Sequence, residues 1–137
     1  MQCTLRGLPF LQQNHLKTSK GENPMPTEII LSPGVELIAA ERARQITAEG
    51  WTPEHDDTHR YGELAKAAAC YATVAMQVAC RQKRGENIPV DDFCLKIVPN
   101  LWPWESHWWK PSNSPIRNLE KAGALIAAEI DRLQRRK

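Results

Sequence analysis

The stretch SPIRNLEKAGALIAAEIDRL, residues 114–133, decides the fold class of this chain. Ser114 followed by Pro115 is a helix-opening pair. The serine oxygen accepts from an early backbone N–H, and a proline at the first helical position gives up no hydrogen bond. Ile116, Leu119, Gly123, Ile126, Ile130 and Leu133 then recur at alternating intervals of three and four, the period of one helix face. Gly123 inside that face costs about 1 kcal/mol relative to Ala, so it predicts a neighbouring helix at close approach.

Working outward, the same opening pair stands at Ser32-Pro33. The stripe Val35, Ile38, Ala39, Arg42 and Ile46 follows, and Gly50 closes the helix. A second helix is expected from Asp57 or Thr58 to Arg84, closed by Gly85, with Leu64, Ala68, Tyr71, Ala75 and Val78 on one face. So many alanines imply close helix packing, which also suits a homo-oligomer. Between Gly85 and Ser114 the chain is broken by prolines and rich in tryptophan, with one short element around residues 91–98. Residues 28–31 are the one stretch with strand character. The expected architecture is all-α, a small antiparallel helical bundle of three main helices with an ordered Trp/Pro-rich loop.

Length fits one domain. A chain of 137 residues buries roughly 65–70% of its unfolded surface, and the helical domain is expected to occupy residues 25–137. Residues 1–24 lack sustained periodicity and read as a disordered leader or a mis-assigned start. Lys20-Gly21-Glu22 is encoded by AAR-GGN-GAR, which can spell a bacterial ribosome-binding sequence a short distance before Met25, so Met25 is the expected natural start. No apolar run approaches the roughly 20 residues that cross a bilayer, and no membrane partner is expected. Cys70 and Cys80 lie about 15 Å apart along one predicted helix, too far to bridge. With no leader of secretory type, reduced thiols and a cytoplasmic location in a bacterial host are the expectation.

The net charge of +2 hides an asymmetry. Residues 25–57 carry seven acids against Arg42 and Arg44, whereas residues 58–137 carry 13 basic and 8 acidic side chains. The basic excess clusters only at Arg132, Arg135, Arg136 and Lys137, where the C-terminal end of a helix dipole already accounts for it. Nucleic acid is therefore not an expected partner.

Five motifs run in order along the chain: Glu41-Arg42-Ala43-Arg44-Gln45, then Glu49-Gly50-Trp51-Thr52-Pro53-Glu54-His55-Asp56-Asp57, Gly62-Glu63-Leu64-Ala65, Trp102-Pro103-Trp104 with Trp108-Trp109-Lys110-Pro111, and residues 122–133. Together they resemble a family of small, uncharacterised bacteriophage and prophage proteins, over residues 35 to 133. The resemblance implies a phage-type accessory protein and leaves its activity open. A weaker resemblance is to the all-α nucleotide pyrophosphatases of the MazG type, in which helical carboxylates hold Mg²⁺ against a triphosphate. Here Glu63 is followed by Lys66 and Ala67, so the paired acids of those enzymes are absent.

Two groups could carry chemistry. His55, Asp57, His59 and Glu63, with Glu41, form a candidate divalent-metal set suited to Zn²⁺, Mn²⁺ or Fe²⁺. The alternative for the same residues is helix capping by Asp57 or Thr58 and a dipole contact from Asp56. Arg44, Gln45, Trp51, Trp108, Trp109 and Lys110 are candidate ligand-binding residues: fork-like donors for an anion, aromatic faces for stacking, and a lysine charge beside them. Their alternatives are ion pairing for the arginines and a packed lid for the tryptophans. The function expected is binding of a host protein or of a small anionic ligand such as a nucleotide. The competing reading is a metal-dependent nucleotide pyrophosphohydrolase.

Overall fold

A computed structural model describes residues 28–136. Cys3, the leader at residues 1–24 and the proposed start at Met25 lie outside the described residues. The described chain is all helical: α1 Pro33–Glu49, α2 Pro53–Asp56, α3 Glu63–Lys83, α4 Phe93–Lys96 and α5 Pro115–Arg135, with a 3₁₀ turn at Ser106–Trp108 before α5. These belong to one unit, Leu31–Lys137. None of the described helices is long and apolar enough to cross a membrane. Residues 28–31 are irregular, not a strand.

Both Ser-Pro pairs open helices as their chemistry requires. The Ser32 and Ser114 side chains accept from the N–H of Val35 and Arg117, at 3.4 and 3.3 Å. Gly50 ends α1 at φ +72°, a left-handed conformation that a side chain would strain. The start of α3 differs from the sequence expectation by about a turn and a half. Thr52-Pro53 uses the same opening device to build the separate one-turn α2, with the Thr52 oxygen accepting from His55 N–H at 3.3 Å. The chain then turns through residues 57–62, and Gly62 at φ +79° precedes α3. Neither Asp57 nor Thr58 therefore caps the start of α3; Asp57 closes α2 instead, and the Thr58 hydroxyl donates to the His55 carbonyl at 2.7 Å.

α5 is the central element, and both α1 and α3 pack on it. Gly123 allows the α1 contact: a Cβ there would stand 2.6 Å from the Ile38 Cδ1 atom. The α3 face expected from sequence is the buried one, with Leu64, Ala68, Tyr71, Ala75 and Val78 all in the core. On α5 the expected face is not. Its buried residues are Asn118, Ala122, Ala124, Leu125, Ala128 and Arg132, whereas Ile116, Leu119, Ile126, Ile130 and Leu133 are about half exposed. The physical reason is that alanines permit the close α3 and α1 contacts, so the bulky stripe is turned outward.

The Trp/Pro-rich loop is ordered on the bundle. Trp109 is buried and donates its indole N–H to the Leu95 carbonyl at 3.2 Å. Trp102 and Trp104 pack against the same core cluster.

A candidate ligand pocket beneath the tryptophan loop

A cleft is lined by residues of α1, α3 and α5, the Trp loop and the segment after α1. Its volume is about 890 Å³, within the size range of small-molecule sites. Two walls of opposite character line it.

The α1 wall is ionic. Glu41 is 3% exposed, accepts from Arg44 at 2.9 and 3.1 Å, and pairs with Arg117 at 2.6 Å. Burial alone would raise its pKa, but the two guanidiniums outweigh burial and hold the carboxyl at about 2. Arg44 also reaches Glu49 at 2.9 Å, and Arg117 reaches Glu120 at 2.6 Å. Arg42 ties the segment after α1 back onto the helix, donating to the Trp51 carbonyl at 3.3 Å and pairing with buried Asp56. Burial raises the Asp56 pKa, with Arg42 opposing. Every cation on this wall therefore has a carboxylate of its own.

The loop wall is aromatic. Tyr71, Trp102, Trp104 and Trp109 form a chain of ring contacts with centroids 4.9–5.7 Å apart, in tilted and edge-on geometries. His59 extends it, 5.1 Å from both Trp104 and His55. Trp51, Trp102, Trp104 and Trp108 all line the cleft.

Where the walls meet, groups are left over. Gln45 lines the cleft and is 2% exposed. Its amide N–H donates to Glu41 at 3.2 Å, and its Oε1 is the one buried side-chain polar atom among the described residues with no partner. Lys110 and Lys121 also line the cleft, and among the described residues neither pairs with a carboxylate. Lys121 donates to the Lys110 carbonyl at 2.6 Å and lies 5.4 Å over the Tyr71 ring, and Lys110 lies 5.9 Å over Trp108. Burial, helped by the positive charges of Arg117, Arg44 and Lys110, brings Lys121 down to about 8.

Of the residues expected to bind a ligand, Arg44, Gln45, Trp51, Trp108 and Lys110 are brought to one cleft, whereas Trp109 points into the core. Lys121, Tyr71, Trp102 and Trp104 complete it. Lys121 gave no sequence signal, being a single lysine inside an amphipathic helix.

The metal set fares differently. Glu41 is committed to Arg44 and Arg117, Asp57 pairs with Arg135 at 2.8 Å outside the cleft lining, and Glu63 turns back to accept from Tyr61 N–H at 2.7 Å. His59 lies in the turn before α3, not four residues along one helix from Glu63, and its ring sits between His55, edge-on, and Trp104, tilted. Among the described residues, no group of three or more His, Cys, Asp or Glu is arranged to hold a metal ion. Carboxylates already neutralised by arginine do not fit the donor set that a Mg²⁺-triphosphate site requires. No known protein family, curated protein or solved structure matches the chain.

Proposed function

We propose that the cleft binds a small molecule carrying both a planar ring and an anionic group, with nucleotides as the chemical class. On this reading the protein acts as a binder of the phage accessory type. The observation that carries it is the division of labour in the cleft: rings on one side, and two lysines without carboxylate partners at the seam. Stacking and edge contacts from Trp51, Trp102, Trp104 and Trp108 suit a heteroaromatic base of any identity. Lys110 and Lys121 suit the phosphate, because their neighbourhood is already crowded with positive charge that an anion would relieve. Gln45 Oε1 can only accept, so it selects a ring or exocyclic N–H donor.

The competing hydrolase has less support, since Glu41 and Asp57 are paired with arginines and Glu63 turns back onto the Tyr61 N–H. Isothermal titration of the full chain with ATP, AMP, adenosine and inorganic phosphate tests the proposal. Saturable binding of the nucleotides, stronger than that of adenosine or phosphate alone, is expected. Absence of binding by any of them up to millimolar concentration would sink it.

A further inference from the structure

A second cavity, of about 270 Å³, shares none of the residues that line the cleft. Its wall is built from two places in the chain. Asp57 and Arg60 come from the turn before α3, and Arg132, Arg135 and Arg136 come from the C-terminal end of α5. Four guanidiniums thus stand in one wall with a single carboxylate.

Pairing sets this wall apart from the rest of the molecule. Among the described residues seven arginines have a carboxylate within ion-pair distance: Arg42, Arg44, Arg81, Arg84, Arg117, Arg132 and Arg135. The two that have none, Arg60 and Arg136, both line this cavity. Arg132 and Arg135 are held in place. Arg132 is 3% exposed and donates through Nε and Nη2 to Glu129 at 2.8 and 2.9 Å, and Arg135 donates through the same two nitrogens to Asp57 at 3.2 and 2.8 Å. The third nitrogen of each, Nη1, carries two N–H groups and has no acceptor among the described residues. The helix dipole accounts for basic residues at the end of α5. It does not account for Arg60, which belongs to another element, nor for the burial of Arg132.

We propose that this cavity binds a doubly charged phosphate group, either free phosphate or the phosphate of a phosphorylated small molecule. The planar fork of a guanidinium matches phosphate oxygens in pairs, which makes arginine the side chain best suited to this anion. Arg132 and Arg135 are ordered by their carboxylates before any ligand arrives, so little of their freedom is lost on binding. Arg60 and Arg136 give up no carboxylate to take part. The volume falls below the roughly 300–1,000 Å³ of sites that enclose a whole drug-sized ligand, so the cavity suits a charged group alone. Among the described residues no aromatic side chain lines it, in contrast to the cleft, and the inference does not depend on what the cleft binds.

Isothermal titration of the full chain at pH 8 and low ionic strength, with inorganic phosphate, glycerol 3-phosphate and dimethyl phosphate in separate runs, tests the proposal. Saturable binding of the first two is expected, the tighter of them identifying the source of the phosphate, with the singly charged dimethyl phosphate at least tenfold weaker. The cleft also carries lysines, so variants decide where the anion sits. Arg60→Gln/Arg136→Gln, which alters two exposed side chains, should weaken phosphate binding at least tenfold with an unchanged helical circular-dichroism signal. Lys83→Gln/Arg84→Gln removes the same charge from exposed positions outside the cavity and should bind like the unaltered chain. Should the first double variant lose its helical signal, Arg60→Gln alone takes its place and should weaken binding at least threefold. The proposal is overturned if the unaltered chain binds neither phosphate nor its ester, if a folded Arg60→Gln/Arg136→Gln variant binds as before, or if both double variants lose binding equally.

Discussion

The two walls of the cleft are held together by different means, and the contrast explains where a ligand would be felt. The α1 wall is a closed ionic network, in which Glu41, Arg44, Arg117, Glu49 and Glu120 satisfy one another. The loop wall is a set of ring contacts anchored at one end by the buried Trp109. A network that satisfies itself contributes stability and offers a ligand little, whereas stacked rings with an accessible edge contribute less order and more contact. On the proposed reading, ligand binding falls to the groups that neither wall satisfies: Gln45 Oε1, Lys110 and Lys121.

Breaking the anchor of the aromatic wall should produce the largest effect. Trp109→Ala removes a buried indole and its bond to the Leu95 carbonyl, and should cost about 3–5 kcal/mol by urea unfolding. Glu41→Gln attacks the ionic wall. A carboxyl at about 2 in the folded state and near its ordinary 4.5 when unfolded contributes stability that is present above pH 4.5 and lost as pH falls towards 2. The variant should lose about 3 kcal/mol at pH 7, with the deficit shrinking as the pH is lowered from 4.5 towards 2.

Lys121 should behave in the opposite sense. Its folded pKa of about 8 lies below its ordinary 10.5, so the unfolded chain binds the proton more tightly and stability rises as pH climbs from 8 to 10.5. Lys121→Met should therefore stabilise the ligand-free protein by about 1–2 kcal/mol, after allowing for partial solvent screening, while weakening anion binding. A group that costs stability when empty and is needed when filled is the expected signature of a binding residue. The smallest effect should come from Thr52→Ala, which removes only the α2 cap and should cost about 0.5–1 kcal/mol in thermal unfolding.

Local chemistry was the legible part of this sequence. Ser32-Pro33, Ser114-Pro115, Gly50 and the alanine face of α3 act through neighbours a turn away, so their outcome follows from spacing. Thr52-Pro53 is the same device, and the one-turn helix that it opens moves the start of α3 to Glu63 and leaves His59 in a turn, off that helix. On α5 the expected and the buried faces differ because hydropathy ranks Ile and Leu above Ala, whereas close helix packing favours Ala. α1 misleads in the same way, since its buried residues are Glu41 and Gln45, whose burial depends on arginines from α1 and from α5. Arg44, Gln45, Trp51, Trp108 and Lys110 were recognisable as a set by residue type. Lys121 was not, because only the meeting of α5 with the loop gives it an aromatic and cationic setting.

The most direct test is a tryptophan-fluorescence titration with AMP, run on the unaltered chain and on Lys121→Met at pH 7 and pH 9.5. An anion in the cleft stabilises the charged lysine, so affinity should fall as pH rises through 8. The account predicts saturable quenching at pH 7, at least fivefold weaker binding at pH 9.5 in the unaltered chain, and weak, pH-independent binding in the variant. Equal affinity for both proteins at both pH values, or no quenching at all, would contradict it.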